Sequence, residues 1–110
     1  MARNVVHLDP DPAVFRAMLE GWARQQSARF LKAATIDPRL RLIGRFEEFT
    51  GQYPWRWTPA DGEAFISHLR SGARPIRMST ARTYEVTIGL FLEFTDRALS
   101  RTRRPPSPSW

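Results

Sequence analysis

Apolar residues recur along the chain at intervals of three and four, in four separate stretches. That period is the mark of a helix with one buried face. Over about 13 to 33, Phe15, Met18, Leu19, Trp22, Ala23 and Phe30 fall near one face. Asp11 suits the N-cap of this helix, with Pro12 at its first position. A second helix begins near "TIDPRL", capped by Thr35 or by Asp37, because Pro38 is tolerable only within a first turn. Leu42, Ile43, Phe46 and Phe49 form its apolar face, and Gly51 ends it.

The aromatic connector "QYPWRW" follows. "TPAD" then opens a third helix, with Thr58 as N-cap, Pro59 first and Asp61 in the place of a capping-box Glu. Phe65, Ile66 and Leu69 are its buried face and Gly72 is its stop. After "ARPIRM", Ser79 or Thr80 caps a fourth helix running to about 99. It has one stripe of Tyr84, Ile88, Phe91, Leu92 and Leu99, and a second of Val86, Leu90 and Phe94. Two apolar sides predict a central helix. No strand pattern stands out beyond a two-residue Val5–Val6, and no repeat is present. The expected fold is therefore all-α, a small four-helix bundle over 12–99. An irregular leader over 1–11 precedes it, and a disordered tail rich in Pro, Ser and Arg over 100–110 follows.

Composition narrows the function. The chain has 110 residues, enough for one domain with a modest core, and 42% of them are hydrophobic. Seventeen basic against 11 acidic residues give a formal net charge of +6, and every basic residue but Lys32 is Arg. Arg grips phosphate through a planar fork, and excess positive charge suits a polyanion. The Arg bias has a second reading, the base composition of the genome. With no Cys there is neither a disulfide nor a Cys-based zinc site. No apolar run approaches the ~20 residues of a membrane span, and no signal peptide is apparent at the start. The expected location is the cytoplasm.

Catalytic and metal chemistry find little footing. His7 and His68 are far apart and outside any ligand-spaced cluster. Glu47 and Glu48 are adjacent and point in different directions on a helix. No glycine-rich phosphate loop exists. No enzyme activity, cofactor, metal or small-molecule substrate is expected.

One stretch is different. "RPIRMSTARTYE", residues 74–85, gathers Arg74, Arg77 and Arg82 around Ser79 and Thr80, with Thr83 following, and no acid lies between Glu63 and Glu85. The first N–H groups of a helix lack internal partners and carry partial positive charge, so a helix start binds phosphate. Hydroxyls add donors. The turn reads as a cradle for a nucleic-acid backbone. The plainer reading is an ordinary helix cap in an Arg-rich chain.

Three segments in order, "LEGWARQQSARFLKAATIDPRLRLIGRFEEFTG", "PWRWTPADGEAFISHLR" and "STARTYEVTIGLFLEF", carry a resemblance. The chain from about 13 to 99 resembles the N-terminal core-binding domain of tyrosine recombinases, the phage-integrase family. That likeness implies a SAM-like four-helix bundle forming half of a clamp on double-stranded DNA, with functions in DNA recombination and integration. It implicates the last helix opening and its turn, hence Arg74, Arg77, Ser79, Thr80, Arg82 and Thr83. It also implicates the start of helix 2, hence Thr35, Arg39 and Arg41; Arg45 joins them on charge alone. A recombinase catalytic domain or recombinase protomers are the implied protein partners. The recombinase catalytic pattern, an Arg, a His-x-x-Arg segment and a nucleophilic Tyr, has no match here, and Tyr53 and Tyr84 belong to the bundle region. The expectation is DNA binding without cutting or joining. The alternative is a SAM-like protein-interaction module using Trp55 and Trp57, unless those rings pack beneath helix 3.

Overall fold

The computed structural model describes the backbone of residues 11–103 and the side chains of 11–99. The expected leader, His7 and Val5–Val6 included, lies outside the described residues apart from Asp11, as does the tail from Arg104. Four helices follow one another: α1 (Asp11–Ala28), α2 (Ala33–Thr50), α3 (Pro59–Arg70) and α4 (Met78–Arg103). A single 3-10 turn, Pro54–Arg56, lies between α2 and α3. The described residues are all-helical, without strands. Among them no helix is long and apolar enough to cross a membrane.

The four helices close on one core. Met18 and Trp22 come from α1, Leu42, Ile43 and Phe46 from α2, Phe65 from α3, and Ile88 and Phe91 from α4. Phe46 and Phe91 are the largest fully buried side chains. Each contributes roughly 1.5–3 kcal/mol by leaving water. Phe91 meets the Trp22 ring edge-on at 5.1 Å, and Phe46 lies 5.0 Å from Phe65. These contacts tie α1 to α4 and α2 to α3. Trp57 packs 4.4 Å from Phe46, and its Nε1 donates to the Gln52 carbonyl at 2.8 Å. Trp55 stacks on Tyr53 at 5.1 Å. Both tryptophans are half-buried and packed against the core.

Helix ends differ from expectation in four places. α1 stops at Ala28, five residues before the expected 33. The Leu31 N–H reaches the Gln26 carbonyl at 3.1 Å and the Phe30 N–H reaches the Ser27 carbonyl at 2.9 Å. That pair of bonds is a Schellman closure, which needs a left-handed residue between them. Phe30 fills that position with φ +68°. Its ring is therefore turned out of the apolar face and is 93% exposed. The conformation costs a non-glycine residue about 1–2 kcal/mol.

α2 starts at Ala33, so neither Thr35 nor Asp37 caps it; Lys32 holds the cap position without a side-chain bond. Pro38 then sits past the first turn, within the helix. It has no N–H for the Ala34 carbonyl. The other end is as expected, with Gly51 left-handed at φ +66°.

α3 has the expected capping box. The Asp61 N–H donates to Thr58 Oγ1 at 3.3 Å, and the Thr58 N–H donates to Asp61 Oδ2 at 2.9 Å. Ser71, before Gly72, closes this helix, its hydroxyl donating to the Ser67 carbonyl at 2.9 Å.

α4 begins at Met78, with the Ala81 N–H bonded to the Arg77 carbonyl at 2.9 Å. Ser79 and Thr80 thus lie inside the first turn and do not cap it. The helix continues to Arg103, four residues into the expected tail. No breaker precedes Pro105. α4 touches all three other helices, and so does α2. Its second apolar stripe is only partly covered. Phe94 packs against α1, its ring 3.2 Å from where a Cβ on Gly21 would stand. Val86 and Leu90 are 61% and 38% exposed.

Candidate nucleic-acid interface

The start of α2 and the second and third turns of α4 frame an open groove of about 470 Å³. Thr35 and Arg39 line it from α2, and Arg82 and Thr83 line it from α4. Pro38, Leu42 and Val86 supply much of its apolar floor. Residues separated by 40 or more positions in the sequence thus share one concave surface.

Both helix starts are unusual in the same way. α2 has Lys32 at its cap, no side-chain cap bond and no acid in its first turn. α4 has Arg77 before its first residue and likewise no acid in its first turn. The leading N–H groups of both helices are left to solvent or to a ligand. α3 is the contrast within the same chain, since its own Asp61 occupies its start.

Arg74, Arg77 and Arg82 are exposed, and among the described residues none of them is in an ion pair. The loop carrying Arg74 and Arg77 is held by the Ile76 N–H, which donates to the Leu69 carbonyl of α3 at 3.2 Å. That bond fixes the path by which the loop approaches α4. Ser79 is exposed one turn before Thr83, whose hydroxyl donates to the Ser79 carbonyl at 3.0 Å. The Thr83 proton is therefore engaged within the helix, leaving its oxygen's lone pairs and methyl group towards the groove. Thr80 is half-buried, turned about 100° from Ser79 around the helix axis.

The expected residues on α2 divide. Arg39 is half-buried and lines the groove. Arg41 is turned about 200° from it, on the side opposite the core. Arg45 is exposed on that same far side, four residues further on. Neither Arg41 nor Arg45 lines the groove.

Sequence reasoning missed Gln26. It is 3% exposed, and its Oε1 accepts a 2.8 Å hydrogen bond from Arg39 Nη1. Its Nε2 donates to the Trp22 carbonyl at 3.4 Å. The only sign in the sequence was a polar residue four places after Trp22, on the buried stripe. Arg39 also lines a second, smaller hollow between α1 and α4, with Arg29, Leu90 and Arg97. Glu93 lines this hollow too and pairs with Arg97 at 3.9 Å, so Arg29 and Arg39 are its cations without a paired acid among the described residues.

Among the described residues no group of His, Asp and Glu could hold a metal ion. His68 is exposed, its ring 5.2 Å from that of Phe49. Comparison with family models, with characterised proteins and with solved structures returns no match.

Proposed function

We propose that this chain is a double-stranded DNA-binding module that grips the phosphate backbone with the paired starts of α2 and α4. The observation that supports it most is one open groove lined by Arg39 from α2 and Arg82 from α4, between two helices that have no acid in their first turns. Each start offers free N–H groups and the positive end of a helix dipole. Arg82 and Arg39 add charge inside the groove, and Arg74 and Arg77 add it on the approach. A net charge of +6 supplies the long-range attraction. Contacts of this kind position a duplex and read little of its sequence. The resemblance to the core-binding half of a tyrosine recombinase or integrase points the same way, with recombinase protomers or a catalytic domain as the protein partners.

The proposed role is holding DNA without cleaving it. Tyr53 is half-buried, its ring stacked on Trp55. Tyr84 is half-buried in the groove wall, and the nearest His in sequence, His68, is packed beside Phe49. Tyr84 shares the groove lining with Arg39 and Arg82, but the recombinase pattern of an Arg, a His-x-x-Arg segment and a nucleophilic Tyr has no match in the sequence.

The test is titration of short duplex DNA at several salt concentrations. Binding should weaken steeply and log-linearly with salt and depend little on sequence. Affinity that is absent at low salt, or unaffected by salt, would reject the reading.

A further inference from the structure

The flank of α4 turned away from the basic groove carries a second hollow, of about 290 Å³, between α3 and α4. Phe46 and Ile88 floor it, and Ile66 and Leu92 wall it. Gly89 leaves one side open: a Cβ there would meet no atom within 4 Å. Two exposed carboxylates, Glu63 and Glu85, line this hollow and continue into the next one, where Arg70 is the only cation. Among the described residues neither carboxylate is in an ion pair. An apolar socket with an acidic rim on a strongly basic protein asks for an apolar group flanked by positive charge.

The same molecule displays such a group elsewhere. Phe30 stands out of the α1–α2 turn, 93% exposed and held in the left-handed region at φ +68°. Glycine belongs at that position by conformation. A large aromatic side chain kept there at a cost in strain, and left in water, points to a use for the ring. Arg29 and Lys32 flank it, and both are exposed. Arg29 and Leu31 line the hollow shared with Leu90 and Arg97, so the knob lies on that flank of α4. The socket lies on the other: Gly89 and Leu92 are turned by roughly 80–160° from Leu90 and Arg97 about the α4 axis.

We infer that one copy of this chain seats Phe30 in the α3–α4 socket of the next, with Arg29 and Lys32 beside that copy's Glu63 and Glu85. Knob and socket are different surfaces, so the contact is head-to-tail and repeats from copy to copy. One buried ring with rim charges makes a small interface, of the weak and salt-sensitive kind.

Sedimentation of the whole chain without DNA tests this apart from the nucleic-acid reading. The wild-type protein should associate with rising concentration, and less so at high salt. Phe30→Gly suits the left-handed turn, so its fold is retained or strengthened while association weakens about tenfold or more. Gly89→Leu puts a side chain into the socket from a position where a Cβ meets no atom within 4 Å, and it raises helix propensity in α4, so it too should fold and fail to associate. The decisive sample is the mixture. The Phe30→Gly protein keeps its socket and the Gly89→Leu protein keeps its knob, so together they should form a one-to-one heterodimer that grows no further. A wild-type protein that stays monomeric throughout, a Phe30→Gly protein that associates like wild type, or a mixture that stays monomeric would each overturn the inference. The first result is also the one expected if another part of the same chain fills the socket.

Discussion

Arg39 on α2 and Gln26 on α1 are joined by a 2.8 Å hydrogen bond from a guanidinium to a buried amide oxygen. The bond anchors at the back of the groove a cation that would otherwise swing freely. Gln26→Met keeps most of the volume and removes the acceptor. Hydrogen bonds to charged groups are worth about 1.5–3 kcal/mol, of which the exposed part of Arg39 recovers some by hydration. Urea unfolding should show a loss of about 1 kcal/mol. DNA affinity should fall by a few-fold with Arg39 still present, since its position is no longer fixed. Unchanged affinity in a folded Gln26→Met protein would mean that Arg39 does not contact DNA.

Replacing Arg74, Arg77 and Arg82 together with Gln removes three exposed cations from the proposed interface. The fold should persist, because none of the three contributes to the core. The slope of log affinity against log salt should shrink by up to about 3, similarly for unrelated DNA sequences. The double change Arg41→Gln with Arg45→Gln is the control, since both side chains lie on the far side of α2. A control with the larger effect would move the interface to that far side.

Phe30 and Gly51 share the left-handed conformation, at φ +68° and +66°. Their substitutions should act in opposite directions. Phe30→Gly should raise the stability of the monomer by about 1 kcal/mol, relief of strain being partly offset by the entropy of an added glycine. Gly51→Ala should lower it by about 1 kcal/mol. Thermal unfolding at low protein concentration measures both. A destabilised Phe30→Gly monomer would show that the exposed ring supports the fold after all.

The caps make a further pair. Thr58→Ala removes the hydroxyl that accepts from the Asp61 N–H, leaving only the arm from the residue-58 N–H to Asp61, and should cost about 1 kcal/mol. Ser79→Ala should be close to neutral for stability, because Ser79 lies within α4 and Ala favours a helix interior. If Ser79→Ala cost as much as Thr58→Ala, Ser79 would be acting as a cap in solution.

The order of the four helices, the capping box of α3 and the stop at Gly51 were legible in the sequence, because each depends on neighbours within about one turn. Phe65 and Phe91 could be placed in the core by periodicity alone. The basic turn before α4 could be found because charge is a property of the chain. Other features depended on what packs against what. α2 and α4 enter helix at Ala33 and Met78, ahead of their apparent caps, with Lys32 and Arg77 in the preceding positions. The Schellman closure turned Phe30 out of a face that periodicity had given it. Arg39 and Arg41 are two residues apart and alike in the sequence. Only the seating of α2 against α1 and α4 sent Arg39 to Gln26 and the groove and left Arg41 on the far side, because successive side chains on a helix diverge by about 100° and packing decides which direction is inward.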